Sequence, residues 1–205
     1  MNFLDSDDLL GINLENTESS THDYHIAVMA DEVTALLRPA PGMLFLDGTL
    51  GGGGHSERLL AAGAEVIGLD QDPDALAESG RRLARFGGHL RTVQANFRDA
   101  GAVLESLGEH RGLGGAILDI GVSSHQLNDP GRGFAFMKDG PLDMRMSQTT
   151  GQTAADLVNN LPVAELIRIF RDYGEESRAA QVAARIVSLR GDHPFETTFD
   201  LAAAV

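Results

Sequence analysis

The sequence predicts an α/β protein: a parallel, doubly wound sheet followed by a helical subdomain. Three observations carry that expectation. Short apolar runs of strand length alternate with helix-compatible segments between Met43 and Ile120. The stretch Asp47 to His55, with glycines 51 to 54, follows the first run, and the second run ends on Asp70, nineteen positions after Gly51. After Gly121 the alternation stops and helix-like segments occupy the remainder.

Taken in order, residues 1–22 are polar and acidic without sustained periodicity, and are expected to be an acidic flexible extension. Asp31 to Leu37 has acids in its first turn and apolar side chains at 33, 36 and 37, so it predicts a short helix stopped by Pro39. A strand over 43–47, the glycine turn and a helix over about 55–62 come next. The strand 64–70 leads into Asp72-Pro73-Asp74, an N-cap with proline at the first helical position. The helix behind it carries Leu76 and Leu83 on one face and Arg81, Arg82 and Arg85 outward. His89 to Ala95 reads as a third strand. Val103 and Leu107 then mark the packed face of another helix, and Gly115 to Ile120 reads as a fourth, buried strand. Residues 128–150 form a long loop. Helices follow over about 153–160, 162–173 and 176–190, with Gly174 and Gly191 as stops. An open sheet of four strands that ends in helices implies that the chain is truncated before the last strands of the fold.

Bulk properties exclude several classes. The 205 residues are 42% hydrophobic, enough for a sizeable core, and no apolar stretch approaches a membrane span. With no cysteine, disulfides, thiolate metal sites and cysteine nucleophiles are excluded, and a cytoplasmic setting without a required metal fits. The net charge of −14 argues against a nucleic-acid partner at first sight. Yet Asp5, Asp7, Asp8, Glu15, Glu18 and Asp23 all sit in the N-terminal extension or at its edge, and 128–146 is locally balanced. The acidic whole therefore leaves room for a neutral or basic binding face.

The motif Asp47-Gly-Thr-Leu-Gly-Gly-Gly-Gly-His55 departs from a dinucleotide fingerprint. Ser56 stands where glycine or alanine would let the helix pack on the strand, and no Gly-Lys-Ser/Thr grips a phosphate. Asp47 would repel a pyrophosphate but suits an ammonium group, which tilts the expected ligand from NAD toward S-adenosylmethionine. Asp70 is expected at the ribose hydroxyls, with Asp72 left to cap the helix. Phe97 lies just past the third strand, either as core or stacked on adenine. Asp119 sits at the end of the fourth strand, where open sheets bind ligands; it either caps the turn at Ser123 and Ser124 or contacts the cofactor or the methylated group. In the segment Gly131 to Met146, Phe134 and Phe136 alternate as base-stacking residues or as a plug beneath a loop. Arg132, Lys138 and Arg145 either hold phosphates or pair with Asp139 and Asp143.

These motifs resemble those of the bacterial S-adenosylmethionine-dependent methyltransferases that modify the N4 amino group of a cytidine in 16S ribosomal RNA. The matching blocks are His25-Ile-Ala-Val-Met-Ala-Asp-Glu-Val33, Asp47 to Ser56, Leu118-Asp-Ile-Gly-Val-Ser-Ser-His-Gln-Leu127, Gly133 to Met146 and Tyr173-Gly-Glu-Glu176. The resemblance implies a Rossmann-like class I methyltransferase core over 23–127, binding S-adenosylmethionine, and an inserted helical substrate-recognition unit over 128–205. It implies cofactor contacts at Gly53, Gly54, His55, Asp70, Phe97, Asp119 and Gln126. The implied partner is 16S rRNA within the small ribosomal subunit. Asp119 is the candidate catalytic residue, as hydrogen-bond acceptor for the reacting amine, and Arg132, Phe134, Phe136, Lys138 and Arg145 are candidate substrate contacts. Other cytosine-N4 methyltransferases carry an Asp/Ser-Pro-Pro-aromatic motif here, whereas this chain has Asp119-Ile-Gly-Val122. Alternatives are a cofactor-binding or assembly fragment without turnover, and a methyltransferase acting on a small molecule or protein.

Overall fold

The computed structural model describes residues 27–205, so the expected acidic extension, together with His25 and Ile26 of the first matching block, lies outside the described residues. Strands β1 (Leu44–Asp47), β2 (Glu65–Asp70), β3 (Leu90–Gln94) and β4 (Gly115–Ile117) form one parallel sheet in the order β3-β2-β1-β4. The direction of winding reverses between β1 and β4. That reversal opens a crevice at the carboxyl ends of the strands and makes the fold a doubly wound, Rossmann-like one.

Both faces of the sheet are covered, as a parallel sheet requires. On one face Phe45, Val66 and Ile117 pack with Leu59 and Leu60 of α2 (Gly54–Ala61), with Leu83, and with Val33 and Leu37 of α1 (Ala30–Leu37). On the other, Leu44, Leu46, Ile67 and Leu69 meet Val93 and the helix α4 (Ala100–Ser106). Helix α3 (Pro73–Arg82) starts as expected, with the Asp72 carboxylate accepting the Asp74 N–H and proline at the first helical position. Its buried positions are Ala75 and Ser79 rather than Leu76, and Arg81, Arg82 and Arg85 point outward to Glu78 and Glu57. In α4 the inner face is Val103 and Leu104. Leu107 follows the helix and is exposed, so the expected Val103–Leu107 stripe is one residue out of phase at its end.

The fourth strand is shorter than its apolar run. Pairing ends at Ile117, and Leu118 and Ile120 are 52% and 72% exposed. After it comes α5 (Ser124–Asn128), a five-residue helix the alternation pattern did not reveal, closed by a capping box between Ser123 and Gln126.

A separate core assembles beyond this point. Leu142, Val158, Leu166, Val182, Ala183, Ile186, Phe195 and Ala204 are buried together between α6 (Ala154–Asn160), α7 (Val163–Asp172), α8 (Ala179–Leu189) and α9 (Thr198–Ala204). The first three helices match expectation and α9 is additional. Thr153–Asp156 and Thr197–Asp200 capping boxes start α6 and α9. At the end of α7 the left-handed residue is Glu175, not Gly174. Gly174 is needed for space, since a β-carbon there would lie 2.8 Å from the Phe170 carbonyl oxygen.

Candidate functional site

The crevice at the reversal point holds a cavity of about 400 Å³, within the range of small-ligand sites. Its walls come from the ends of all four strands: Gly48 to Gly52 after β1, Asp70 and Gln71 after β2, Ala95 and Phe97 after β3, and Asp119 to Ser123 after β4. Ala27 and Val28, Gly54 and His55, Ala75, Gln126 and Met146 complete it.

The glycine loop is shaped by contacts on both sides. Gly53 has φ +78°, and a β-carbon there would meet Leu83 Cδ1 at 2.6 Å, so this glycine packs the loop onto α3 rather than lining the cavity. Asp70 grips the loop from below: its Oδ2 accepts the Gly51 N–H at 2.8 Å and its Oδ1 accepts the Asp72 N–H at 2.9 Å. Each oxygen keeps a lone pair for a further donor. Burial pushes the Asp70 carboxyl above its ordinary value, against the pull of those two backbone bonds.

Asp47 does not do what its charge promised. It is buried away from the cavity lining, where Oδ2 accepts the Ser56 hydroxyl at 2.7 Å and Oδ1 accepts the Thr49 N–H at 3.2 Å. Burial raises its carboxyl above the ordinary value despite these bonds. The electrostatic preference for an ammonium ligand therefore cannot come from Asp47 facing it. Ser56, an oddity against the dinucleotide pattern, is explained as the partner of that buried carboxylate. The pair holds Thr49, whose hydroxyl in turn accepts the Asp119 N–H at 2.7 Å.

Asp119 is 38% exposed at the cavity, with Oδ2 3.5 Å from His55 Nε2. The carboxylate is not buried on the strand as its apolar run suggested, because β4 has already ended. His55 Nδ1 is buried without a hydrogen-bond partner among the described residues, an unsatisfied polar atom on a cavity-lining side chain. Gln126 is buried, and its amide both closes the α5 capping box and donates from Nε2 to Asp72 Oδ2 at 3.0 Å. Gly54, His55, Asp70, Phe97, Asp119 and Gln126 thus converge on one cavity, and Gly53 stands behind it.

The five candidate substrate residues are elsewhere. Phe136 and its neighbour Met137 are 88% and 89% exposed, Lys138 is exposed beside them, and Phe134 is half-buried. Arg145 lies bidentate on Asp143 at 2.7 and 2.9 Å. Asp139 takes no arginine; it accepts the Phe199 N–H and the Thr198 hydroxyl and so ties the loop to α9. Arg132 is only 3% exposed and is spent inside the protein, on Asp72 at 2.7 Å and on the Met146 carbonyl at 2.7 Å. As folded it has no open edge for a phosphate. Met146, which sequence reasoning did not single out, is the one residue of the 133–146 block on the cavity wall.

A family model described as the MraW methylase family matches residues 22–205. The chain belongs to that family. Among curated relatives, the ribosomal RNA small subunit methyltransferase H of Rhizobium etli is 53% identical over 184 residues, covering 88% of this chain and 52% of that protein. The protein of the same name from Anaeromyxobacter dehalogenans is 54% identical over 174 residues, covering 84% of this chain and 56% of its own length. That from Geobacter sp. strain M21 is 49% identical over 181 residues, covering 87% and 58%. The chain spans a little over half the length of these relatives. No helix among the described residues is long and apolar enough to cross a membrane.

Proposed function

We propose that the cavity binds S-adenosylmethionine and serves transfer of its methyl group to the N4 amino group of a cytidine in 16S rRNA of the small ribosomal subunit. One observation carries the reading: the glycine loop, Asp70, Phe97 and Asp119, far apart in sequence, meet around one cavity at the reversal point of the sheet. Membership of a methylase family and relatives named as small-subunit rRNA methyltransferases support it.

S-adenosylmethionine supplies a methyl group made electrophilic by its sulfonium. Asp70 accepts hydrogen bonds from the ribose hydroxyls through the lone pairs its two backbone partners leave open. The side-chain-free stretch Gly51 to Gly54 admits the nucleoside close to the backbone, Phe97 flanks the adenine, and His55 and Gln126 complete the pocket. Asp119 is a partly exposed carboxylate on the cavity wall, beside His55. It orients the exocyclic amine, a poor nucleophile because its lone pair is delocalised into the ring. When bound, S-adenosylmethionine would offer that methyl carbon to the amine nitrogen with its thioether as leaving group, and Asp119 would accept the proton the amine gives up. Phe134, Phe136, Lys138 and Arg145 are proposed to meet the RNA, with the exposed ring of Phe136 stacking on a base and Lys138 near a phosphate. Because Arg145 shares its charge with Asp143, it adds less to that face than Lys138.

The test is incubation of the protein with 30S subunits and methyl-labelled S-adenosylmethionine. Label on one 16S cytidine is the expected result. Label on protein or small molecules alone, or cofactor binding without label on RNA, would overturn the assignment of the acceptor.

A further inference from the structure

We infer that Arg132 is a positioning residue for the cofactor cavity, not an RNA contact: with Gln126 it locks the segment 144–146 onto the carboxylate of Asp72, whose own N–H bonds the Asp70 carboxylate that grips the glycine loop. The inference rests on the cavity being the cofactor site.

The connections form one unbroken path. The Gly51 N–H donates to Asp70, and the other oxygen of Asp70 accepts the Asp72 N–H. The Asp72 carboxylate then accepts from Gln126 Nε2 and from Arg132 Nη1 at a single oxygen, at 3.0 and 2.7 Å. On its far side the Arg132 guanidinium donates from Nη2 to the Met146 and Arg145 carbonyls at 2.7 and 3.3 Å, and the Arg132 carbonyl accepts the Met144 N–H at 3.1 Å. Gly51, Asp70, Gln126 and Met146 all line the cavity. The path therefore begins and ends on the cavity wall and passes through the protein between.

Stability alone is a poor reason for this arrangement. A buried ion pair gives back in attraction roughly what its charges lose in hydration, and apolar residues of similar volume do as well or better. Here the guanidinium also leaves Nε buried without a partner among the described residues, a further cost. What the pair supplies is geometry. A planar fork can hold a carboxylate on one edge and two carbonyls on the other, which neither lysine nor an apolar side chain can do. Met144, the residue whose N–H bonds back to Arg132, is held at φ +61°, a conformation that a side-chain-bearing residue keeps only when its surroundings impose it.

The experiment compares S-adenosylmethionine affinity in the wild type, Arg132→Met, Arg132→Lys and Leu166→Ala, all measured well below their unfolding midpoints. Leu166 is buried in the helical core away from the cavity and serves as a control for general destabilisation. Arg132→Met is expected to weaken binding tenfold or more, Arg132→Lys to recover part of that loss, and Leu166→Ala to stay within twofold of wild type. Wild-type affinity in folded Arg132→Met would overturn the inference, as would an equal loss in Leu166→Ala. Should Arg132→Met not fold, Arg132→Lys must then show the loss, and wild-type affinity in it overturns the inference. Amide exchange of residues 144–147 without cofactor is a readout independent of binding: it should quicken in the Arg132 variants and not in Leu166→Ala. If the wild type binds no cofactor, the proposed function fails, while the exchange comparison still decides whether Arg132 locks the segment.

Discussion

Replacing Ser56 with alanine isolates the device that shapes the glycine loop. The Ser56 hydroxyl is fully buried and donates at 2.7 Å to an almost fully buried Asp47 carboxylate, whose other hydrogen bond is the longer one from the Thr49 N–H at 3.2 Å. A hydrogen bond to a charged group contributes about 1.5–3 kcal/mol. At about 2–4 °C per kcal/mol for a chain of this size, the midpoint of Ser56→Ala should fall by roughly 3–12 °C. The pH dependence is the sharper signature. Burial raises the Asp47 carboxyl in the folded state, so its contribution to stability is complete below the unfolded value and is lost as pH rises through the folded one. Without Ser56 the folded value climbs further and more is lost above it. The penalty of Ser56→Ala should therefore be largest near neutral pH and shrink toward acid. Urea denaturation from below the unfolded value of about 3.8 up to neutral pH, with Asp47→Asn and the double variant completing a cycle, reads this directly. A pH-independent penalty, or one that persists undiminished in the Asp47→Asn background, would refute the reasoning.

Gly53→Ala should cost roughly 2–4 kcal/mol, because it adds a left-handed alanine and crowds Leu83 at 2.6 Å. Gly51→Ala, at φ +51° and meeting only the Thr49 carbonyl oxygen at 3.9 Å, should cost only about 1 kcal/mol, and urea denaturation separates the two. Phe136→Ala and Lys138→Ala should weaken retention on 30S subunits, and Lys138→Ala should flatten its salt dependence, with cofactor affinity unchanged by titration. Burial alone would raise the Asp72 carboxyl, but the bonds from Gln126, Arg132 and the Asp74 N–H outweigh it and hold it below its ordinary value. Its stabilising contribution is present above the unfolded value of about 3.8 and lost as pH falls through the lower folded one, so the stability gap between wild type and Asp72→Asn should close in that acid range.

The sheet and its ligand loop were legible because their signals are local. Apolar runs bounded by Gly, Asp and Pro mark strands, and an acid nineteen residues after Gly51 marks where two strand ends meet. The errors have a common cause. Periodicity registers that a residue is apolar, not that it is covered, so Leu118 and Ile120 extended β4 past the last paired residue. Short helices α5 and α9 have too few residues for a period; their signals were the capping pairs Ser123–Gln126 and Thr197–Asp200. Charge misled in the same way. Asp47 and Arg132 read as ligand-facing groups from sequence, and both are buried against partners distant enough in the chain that composition cannot announce them: Ser56 for one, Asp72 for the other.

The central claim is that the cavity takes a sulfonium nucleoside through Asp70. Isothermal calorimetry on the folded protein should show saturable binding of S-adenosylmethionine, no comparable heat with NAD, and a dissociation constant at least about tenfold weaker for Asp70→Asn, the loss of roughly 1.4 kcal/mol expected when charge-assisted bonds to the ribose become neutral ones. Absence of binding, or an Asp70→Asn variant that binds as the wild type does, would contradict it.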